Sequence, residues 1–344
     1  MLELTILGCH SATPRENKHT SSQLLDVQGN LFLIDCGEGT QMQLRRAKVK
    51  FTRIKHIFIS HLHGDHFYGL IGLISTFRLL GRTTQLNIYG PKGIKEIITL
   101  QLKMSNSWTD YSLHFHELSS PNSEKIFEDD TICVSTLPLD HRIYTNGFLF
   151  TTKTVKRKIN SKATESLNLE PFHYSQLQNG LDIELANGIF KENKELTLNP
   201  EPSKKYAYCS DTAYNEELIS LIKGVDLLYH EATFLEKHAD LAKKTKHSTA
   251  LQAAKIANSA NVKKLLLGHY SNRYSDKKDF IKEASKVSRD YVFDLNIQKA
   301  GSPLLNIYGG KLTTYRKLSE KVMEELTPYL PNTKTKNWTA TKQL

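Results

Sequence analysis

The sequence predicts a layered α/β fold, with sheets covered by helices. Two observations carry that prediction. Short apolar runs alternate with segments of helical periodicity in two broad halves of the chain. Several of the apolar runs also end in histidine or aspartate, residue types that hold divalent metal ions.

Taken in order, residues 2–7 read as a strand and 8–17 as a loop. Residues 24–27 and 31–34 flank Gln28-Gly29-Asn30, a hairpin signal. Asp35-Cys36-Gly37-Glu38-Gly39-Thr40 closes the second of these strands, and 41–46 reads as a helix. The apolar run 54–59 is a buried strand, and 67–80 has helical spacing up to Gly81. A strand at 86–89, a helix over 92–103 and strands at 113–115, 131–136 and 147–152 follow. Residues 151–203 are polar with weak periodicity and read as an inserted arm, not a second core. Beyond the arm come a strand at 206–209, a helix near 215–223, a strand at 226–229, a helix over 248–260, a strand at 262–267 and a helix over 277–287.

Bulk properties bound the function. The chain has 344 residues, enough for a large core in one domain or two. Apolar residues make up 39% and charged residues 24%, which excludes a disordered chain. No apolar run reaches the length of about eighteen residues that a membrane span needs. Residues 1–7 lack the basic start of a secretory signal and read as the first strand. Cys9, Cys36, Cys133 and Cys209 are scattered, so a reducing cytoplasm is expected rather than a disulfide scaffold. The net charge of +10 favours a polyanionic partner such as RNA, DNA or an anionic surface.

The chemistry is concentrated after the 54–59 strand, in Ser60-His61-Leu62-His63-Gly64-Asp65-His66. His61 and His63, two apart, point the same way in extended chain. Gly64 lets the backbone turn and aim Asp65 and His66 at a second point. A lone histidine is usually structural, but this stretch packs four ligand-type side chains into six positions. Later strands lead into Asp140-His141, Ser210-Asp211 and Gly268-His269. Singly, His141 and His269 read as structural histidines and Asp211 as a helix N-cap. Together they complete a two-ion site, with His61, His63 and His141 on one ion and Asp65, His66 and His269 on the other. Asp211 bridges them. Water shared by two such ions has its pKa lowered toward about 7, which makes hydroxide available at neutral pH. Nitrogen-rich ligation favours zinc, and manganese or iron also fits such a set.

The pattern His61-x-His63-x-Asp65-His66 with His141, Asp211 and His269 resembles the metallo-β-lactamase superfamily. The resemblance implies a four-layer αββα sandwich with a dinuclear site at one edge, and a hydrolase. Further stretches resemble ribonuclease Z from residue 1 to about 290. They are Leu7-Gly8-Cys9-His10-Ser11-Ala12-Thr13-Pro14, Asp35-Cys36-Gly37-Glu38-Gly39-Thr40-Gln41, His230-Glu231-Ala232-Thr233, His247-Ser248-Thr249 and Gly268-His269-Tyr270-Ser271-Asn272-Arg273-Tyr274. This resemblance implies the short bacterial form. That form is a cytoplasmic, homodimeric, zinc-dependent endoribonuclease with two Zn2+ per subunit. It removes the 3′ trailer from precursor tRNA by hydroxide attack, leaving a 3′-hydroxyl on the tRNA and a 5′-phosphate on the trailer.

The same resemblance makes Asp65 the proton acceptor for the attacking water and His247 a donor to the leaving oxygen, oriented by Glu231. Read without it, Glu231 and His247 are a strand end and a helix start. Arg273, Ser248 and the amides opening the helix after His247 are candidates to hold phosphate. Between His141 and Asp211 lies a basic stretch of Lys153, Lys156, Arg157, Lys158 and Lys162, with no acid from 151 to 162. On charge alone this is equally a solvated loop. The resemblance implies an exosite arm that clamps the tRNA elbow, although the glycine- and proline-rich tip of the commoner arm is missing.

From Ser302-Pro303-Leu304-Leu305 through Gly309-Gly310-Lys311 to Trp338-Thr339, the tail resembles a fragment of FAD-dependent glycerol-3-phosphate dehydrogenase. No GxGxxG fingerprint follows an N-terminal strand, so no FAD is expected. Residues 314–326 read as a helix. The expected division is a nuclease domain over 1–295, carrying the arm at 151–203, and an atypical tail over 296–344. Two rival functions remain open at this point, beside a flavin dehydrogenase that only the tail suggests and the missing fingerprint disfavours. One is another hydrolase of the same fold, acting on a small-molecule ester or phosphodiester. The other is a binding protein without activity, against which the filled ligand set argues.

Overall fold

The computed structural model describes residues 2–154, 156–200, 202–287, 291–296, 304–309 and 315–329. The chain opens with an antiparallel set, β1 (Leu2–Gly8), β2 (Ser22–Val27) and β3 (Asn30–Ile34). Gln28 and Gly29 turn β2 into β3 with φ of 53° and 91°, the left-handed pair that a two-residue hairpin requires. After α1 (Thr40–Arg46), β4 (Ile54–Phe58) joins β3 in parallel. Then α2 (Gly64–Phe67) and α3 (Leu70–Leu79) lead to β5 (Leu86–Pro91), and α4 (Ile94–Met104) leads to β6 (Leu113–Leu118), both strands parallel to their neighbours. The strands of this sheet stand in chain order.

The second sheet starts as a meander of β7 (Lys125–Glu128), β8 (Ile132–Leu139) and β9 (Thr145–Thr152). The arm then intervenes, with β10 (Lys158–Ile159), α5 (Ser161–Thr164), α6 (Pro171–Gln178), β11 (Ile183–Glu184), β12 (Phe190–Lys191), α7 (Asn193–Leu196) and β13 (Thr197–Leu198). The sheet resumes with β14 (Lys205–Cys209) antiparallel to β9, followed by α8 (Leu218–Leu221) and the parallel β15 (Leu227–Glu231). After α9 (Ala239–Thr245) and α10 (Ala250–Ser259), β16 (Leu265–Gly268) pairs in parallel with β15, and α11 (Lys278–Ser285) follows. The order is β16-β15-β14-β9-β8-β7.

Alternation along the strands sorts side chains into three cores. Phe32, Ile34 and Phe58 of the first sheet meet Phe148, Phe150, Tyr206 and Tyr208 of the second. Leu31, Leu33 and Ile57 face the other way, onto Leu44, Leu73, Phe77 and Ile98 of the helices. Ala207 and Leu228 pack on Leu218, Ile222 and Ile256. Sheets buried on both faces need such near-continuous apolar strands. The result is the αββα sandwich that the resemblance implied. Each fully buried aromatic ring in the middle layer contributes about 1.5–3 kcal/mol. All four cysteines are free. Among the described residues no helix is long and apolar enough to cross a membrane.

Several expectations need correction. The single helix expected over 67–80 is two, broken at Tyr68-Gly69. There the Gly69 amide donates to Cys36 O at 2.9 Å, and a Cβ on Gly69 would lie 2.2 Å from Gly37 O. The expected helix near 215–223 is a single turn, and β7 and α9 have no counterpart in the sequence reading.

The arm is not a coreless insertion. Leu177, Ile183 and Leu196 are buried together, with Ile159, Leu167 and Leu185 packed on them. Its neck is closed where Thr152 N donates to Lys204 O at 2.9 Å and Lys204 N donates to Thr152 Oγ1 at 2.8 Å. The boundary expected at 295/296 falls inside a hairpin, since β17 (Tyr291–Asn296) pairs antiparallel with β18 (Leu304–Gly309). The expected tail helix is present as α12 (Tyr315–Leu326). Gly310, Lys311 and Trp338 of the flavoprotein-like stretch lie outside the described residues.

Candidate active site

Strand ends from both sheets converge at one edge of the sandwich. Asp35 follows β3, Ser60 and His61 follow β4, and His141 follows β8. Asp211 follows β14, Glu231 ends β15, and His269 follows β16 with φ of 56°. All seven predicted metal ligands meet there. His63 Nδ1 lies 3.0 Å from His61 Nε2 and 3.3 Å from His141 Nε2. Asp211 Oδ2 faces this set, 3.6 Å from His61 Nε2 and 3.8 Å from His141 Nε2. In the second set, His269 Nε2 lies 3.1 Å from Asp65 Oδ2 and 3.3 Å from His66 Nε2. Asp211 Oδ1 faces these, 3.4 Å from His66 Nε2 and 3.2 Å from His269 Nε2. One carboxylate therefore presents one oxygen to each set.

Hydrogen bonds on the far side of each ring fix the tautomers. His66 Nδ1 donates to Asp35 Oδ2 at 2.7 Å, and His141 Nδ1 donates to Lys246 O at 2.8 Å. His61 Nδ1 reaches Ser60 Oγ at 3.0 Å, and His269 Nδ1 reaches Thr233 Oγ1 at 2.8 Å. Each Nε2 is left as a bare lone pair, aimed at others of its kind. Asp211 Oδ1 is buried and meets no hydrogen-bond donor. Lone pairs and carboxylates converging this closely repel one another unless cations sit among them, so the residues fit two divalent ions. Without ions, a proton must substitute. Burial lowers His66, but the carboxylates of Asp65, Asp211 and Asp35 outweigh it and hold His66 well above its ordinary pKa.

The glycine within this stretch acts differently from expectation. Gly64 does not adopt a positive φ. Helix α2 aims Asp65 and His66, and a Cβ on Gly64 would lie 2.3 Å from Tyr68 Cε2. Glycine here makes room for the Tyr68 ring. Asp65 is held from the N-terminal loop, whose Ala12 N donates to Oδ2 at 2.8 Å. Burial would raise the Asp65 carboxyl, but His66 and His269 carry it far below the usual carboxylate range.

His247 and Glu231 stand beside the second set. His247 Nδ1 donates to Glu231 Oε1 at 2.8 Å. Glu231 is fully buried and also accepts from Thr212 N at 3.0 Å, Thr233 N at 2.9 Å and Thr233 Oγ1 at 2.7 Å. Burial pushes His247 down, but the Glu231 carboxylate more than reverses it and raises the imidazole to about 9. A protonated His247 thus keeps Nε2–H as a spare donor. His247, Asp65, Asp211 and His269 line one open cavity of about 610 Å³, whose walls include Tyr68, Arg142 and Phe234.

The RNA-binding candidates fare unevenly. Lys156 and Lys158 are exposed on the arm. Lys153 Nζ pairs with Glu128 Oε1 at 2.9 Å, and Arg157 Nε donates to Thr197 Oγ1 at 2.7 Å, so both serve the arm's attachment and packing. Arg273 is exposed but is not among the residues lining the cavity. Ser248 is a correction, because it is fully buried and its hydroxyl donates to Thr212 O at 2.8 Å. The start of α10 is likewise occupied. The amides of Thr249, Ala250 and Gln252 donate to Gln252 Oε1, Phe234 O and Thr249 Oγ1.

The sequence reading missed Asp35, Thr233 and Arg142. Asp35 is buried and left-handed, with φ of 55°. It accepts from Ser60 N at 2.7 Å, Ser60 Oγ at 2.9 Å, His66 Nδ1 at 2.7 Å and Tyr208 OH at 2.5 Å. The only signal was its place at a strand end before a glycine-rich loop. Asparagine at 35 is expected to weaken the ion held by His66 by about 10–100-fold, since partners behind a ligand carry effects of that size. Zinc competition with a chelator checks this, and unchanged affinity would remove Asp35 from the site.

Two ligand sets at the edge of an αββα sandwich define the class, a hydrolase of the metallo-β-lactamase fold. The fold is that of the metallo-β-lactamase fold protein YhfI from Bacillus subtilis, with a TM-score of 0.60 at 20% identity, covering 89% of this chain and 99% of that one. The short form of human tRNase Z superposes with a TM-score of 0.60 at 29% identity, covering 80% of this chain and 94% of that one. Ribonuclease Z of Bacteroides fragilis is 46% identical over 285 residues, 83% of this chain and 94% of the relative. A family model described as Anti-Pycsar protein Apyc1 matches residues 2–292. The chain belongs to the family that this model describes and to the ribonuclease Z family, and it is a phosphodiester hydrolase.

Proposed function

We propose that this chain is a zinc-dependent endoribonuclease that removes the 3′ trailer from precursor tRNA, leaving a 3′-hydroxyl on the tRNA and a 5′-phosphate on the trailer. The observation that carries the reading is the pair of candidate ligand sets that share Asp211, with His247 hydrogen-bonded to Glu231 and lining the same cavity. The relatives' names, ribonuclease Z and tRNase Z, supply the substrate class. His61, His63 and His141 would hold one zinc ion, Asp65, His66 and His269 the other, and Asp211 both. When bound, the pair would activate water and neutralise charge developing on the phosphate. The chain's own groups do the rest. Asp65, steadied by Ala12 N, takes a proton from the attacking water. His247, fixed on Glu231, delivers Nε2–H to the 3′ oxygen of the tRNA as the P–O bond breaks. Arg142 faces the polyanion across the cavity. The homodimer, the cytoplasmic location and the absence of FAD belong to the same proposal.

A tRNA carrying a 3′ extension tests it. Cutting should stop in EDTA, and the product should end in a 3′-hydroxyl just after the discriminator base. No cut, or a cut in the anticodon, would sink the reading. The closed neck at Thr152 and Lys204 defines a clean excision of the arm. Replacing 153–203 with a short link is expected to lower kcat/KM on precursor tRNA by on the order of 10–100-fold, through lost phosphate contacts of Lys156, Lys158 and Lys162. Hydrolysis of a small phosphodiester should be unchanged. Equal loss of both activities would count against an RNA-binding arm.

A further inference from the structure

We propose that the Thr233 hydroxyl is a positioning group that makes one buried carboxylate, Glu231, govern both a metal ligand and the proton donor. The inference rests on the two-ion reading above and follows from where single protons must lie. Each Glu231 oxygen accepts a backbone N–H, Oε1 from Thr212 and Oε2 from Thr233, so the carboxylate acts as an acceptor on both sides. Thr233 Oγ1 lies 2.7 Å from Glu231 Oε2 and has one proton, which therefore goes to that oxygen. The Thr233 oxygen must then accept from its other close neighbour, His269 Nδ1, at 2.8 Å. His269 is forced into the tautomer whose Nε2 is bare, and that atom faces Asp65 Oδ2 at 3.1 Å and Asp211 Oδ1 at 3.2 Å. The same oxygen lies 3.3 Å from His247 Nδ1, whose own proton goes to Glu231 Oε1 at 2.8 Å. The hydroxyl thus sits at the junction of the second ligand set and the acid pair. Thr233 is 4% exposed and stands at the cavity wall.

Valine at 233 keeps the branched shape and removes the hydroxyl. It leaves His269 Nδ1–H without an acceptor and frees the ring to adopt the other tautomer, which directs a proton at the ion. In the full chain, Thr233→Val is expected to bind one Zn2+ as the parent does and the second about 10–100-fold more weakly. Thr233→Ala carries the same expectation, and Thr233→Ser, which restores the hydroxyl, should bind both ions as the parent does. The measurement is Zn2+ titration against a chromogenic chelator, repeated with Co2+ to follow the two sites by their visible absorption. Parent-like binding of both ions by the valine variant, failure of serine to rescue, or equal weakening of both ions would each overturn the inference. If the parent itself binds fewer than two ions, the two-ion reading fails as well, which separates the two outcomes.

Discussion

Alanine in place of Asp211 is expected to lower kcat on precursor tRNA and on small phosphodiesters alike by on the order of 10³-fold or more. A single group that stabilises developing charge is worth about 10²–10³ in kcat. Asp211 would serve two ions at once, since its Oδ2 faces the His61 set and its Oδ1 the His66 set. Its loss removes one of the two carboxylates that directly face the ions, and the ion content should fall below two. Asparagine keeps the shape but not the charge, so it should restore little. Elemental analysis after dialysis, alongside turnover, checks the prediction. A variant that kept two ions and near-parental turnover would rule out Asp211 as the bridge.

His247→Ala is expected to reduce kcat on precursor tRNA by about 10²–10⁴-fold, the range for loss of a general acid. Both ions should remain bound, because His247 Nδ1 is committed to Glu231. The loss should be far smaller on a nitrophenyl phosphodiester, whose leaving group departs without a proton. The pH profile gives an independent sign. Burial lowers His247 and Glu231 raises it further, to about 9, so the active protonated form is lost as pH rises. Bound cations beside Asp211 disfavour the imidazolium, so the alkaline fall in kcat should come no later than about pH 9. In the alanine variant that fall should vanish. A retained alkaline limb would assign the proton to another group.

The convergence of the seven candidate ligands was legible because their signal is local. Four of them lie between His61 and His66, and the rest stand directly after apolar runs. The groups behind them were not legible, because their meaning lies in contacts distant in the chain. Asp35 reaches His66 across 31 positions and Tyr208 across 173. A single aspartate before glycine reads the same whether it serves a turn or a ligand. Thr233 has no meaning until β15 and β16 lie side by side. The arm's core was hidden for another reason. Its strands have two residues and two of its helices have four, too few for a period to register. Ser248 shows the opposite failure, since a hydroxyl at a helix start invites a ligand until packing seals it.

The seven candidate ligands are divided between the sheets. His61, His63, Asp65 and His66 hang from the first, and His141, Asp211 and His269 from the second. An ion bound among them would therefore act as a removable rivet between two slabs that are otherwise joined by the apolar middle layer and, at this edge, by hydrogen bonds such as Asn146 N to Ser60 O and Tyr208 OH to Asp35 Oδ2. Bound ions would add a further link at the edge where reacting atoms must stay in register. Binding also adds to folding stability by mass action, about 4 kcal/mol when free metal is about a thousand times its Kd. Loss of the metal would thus loosen the seam of the sandwich as well as silence its chemistry.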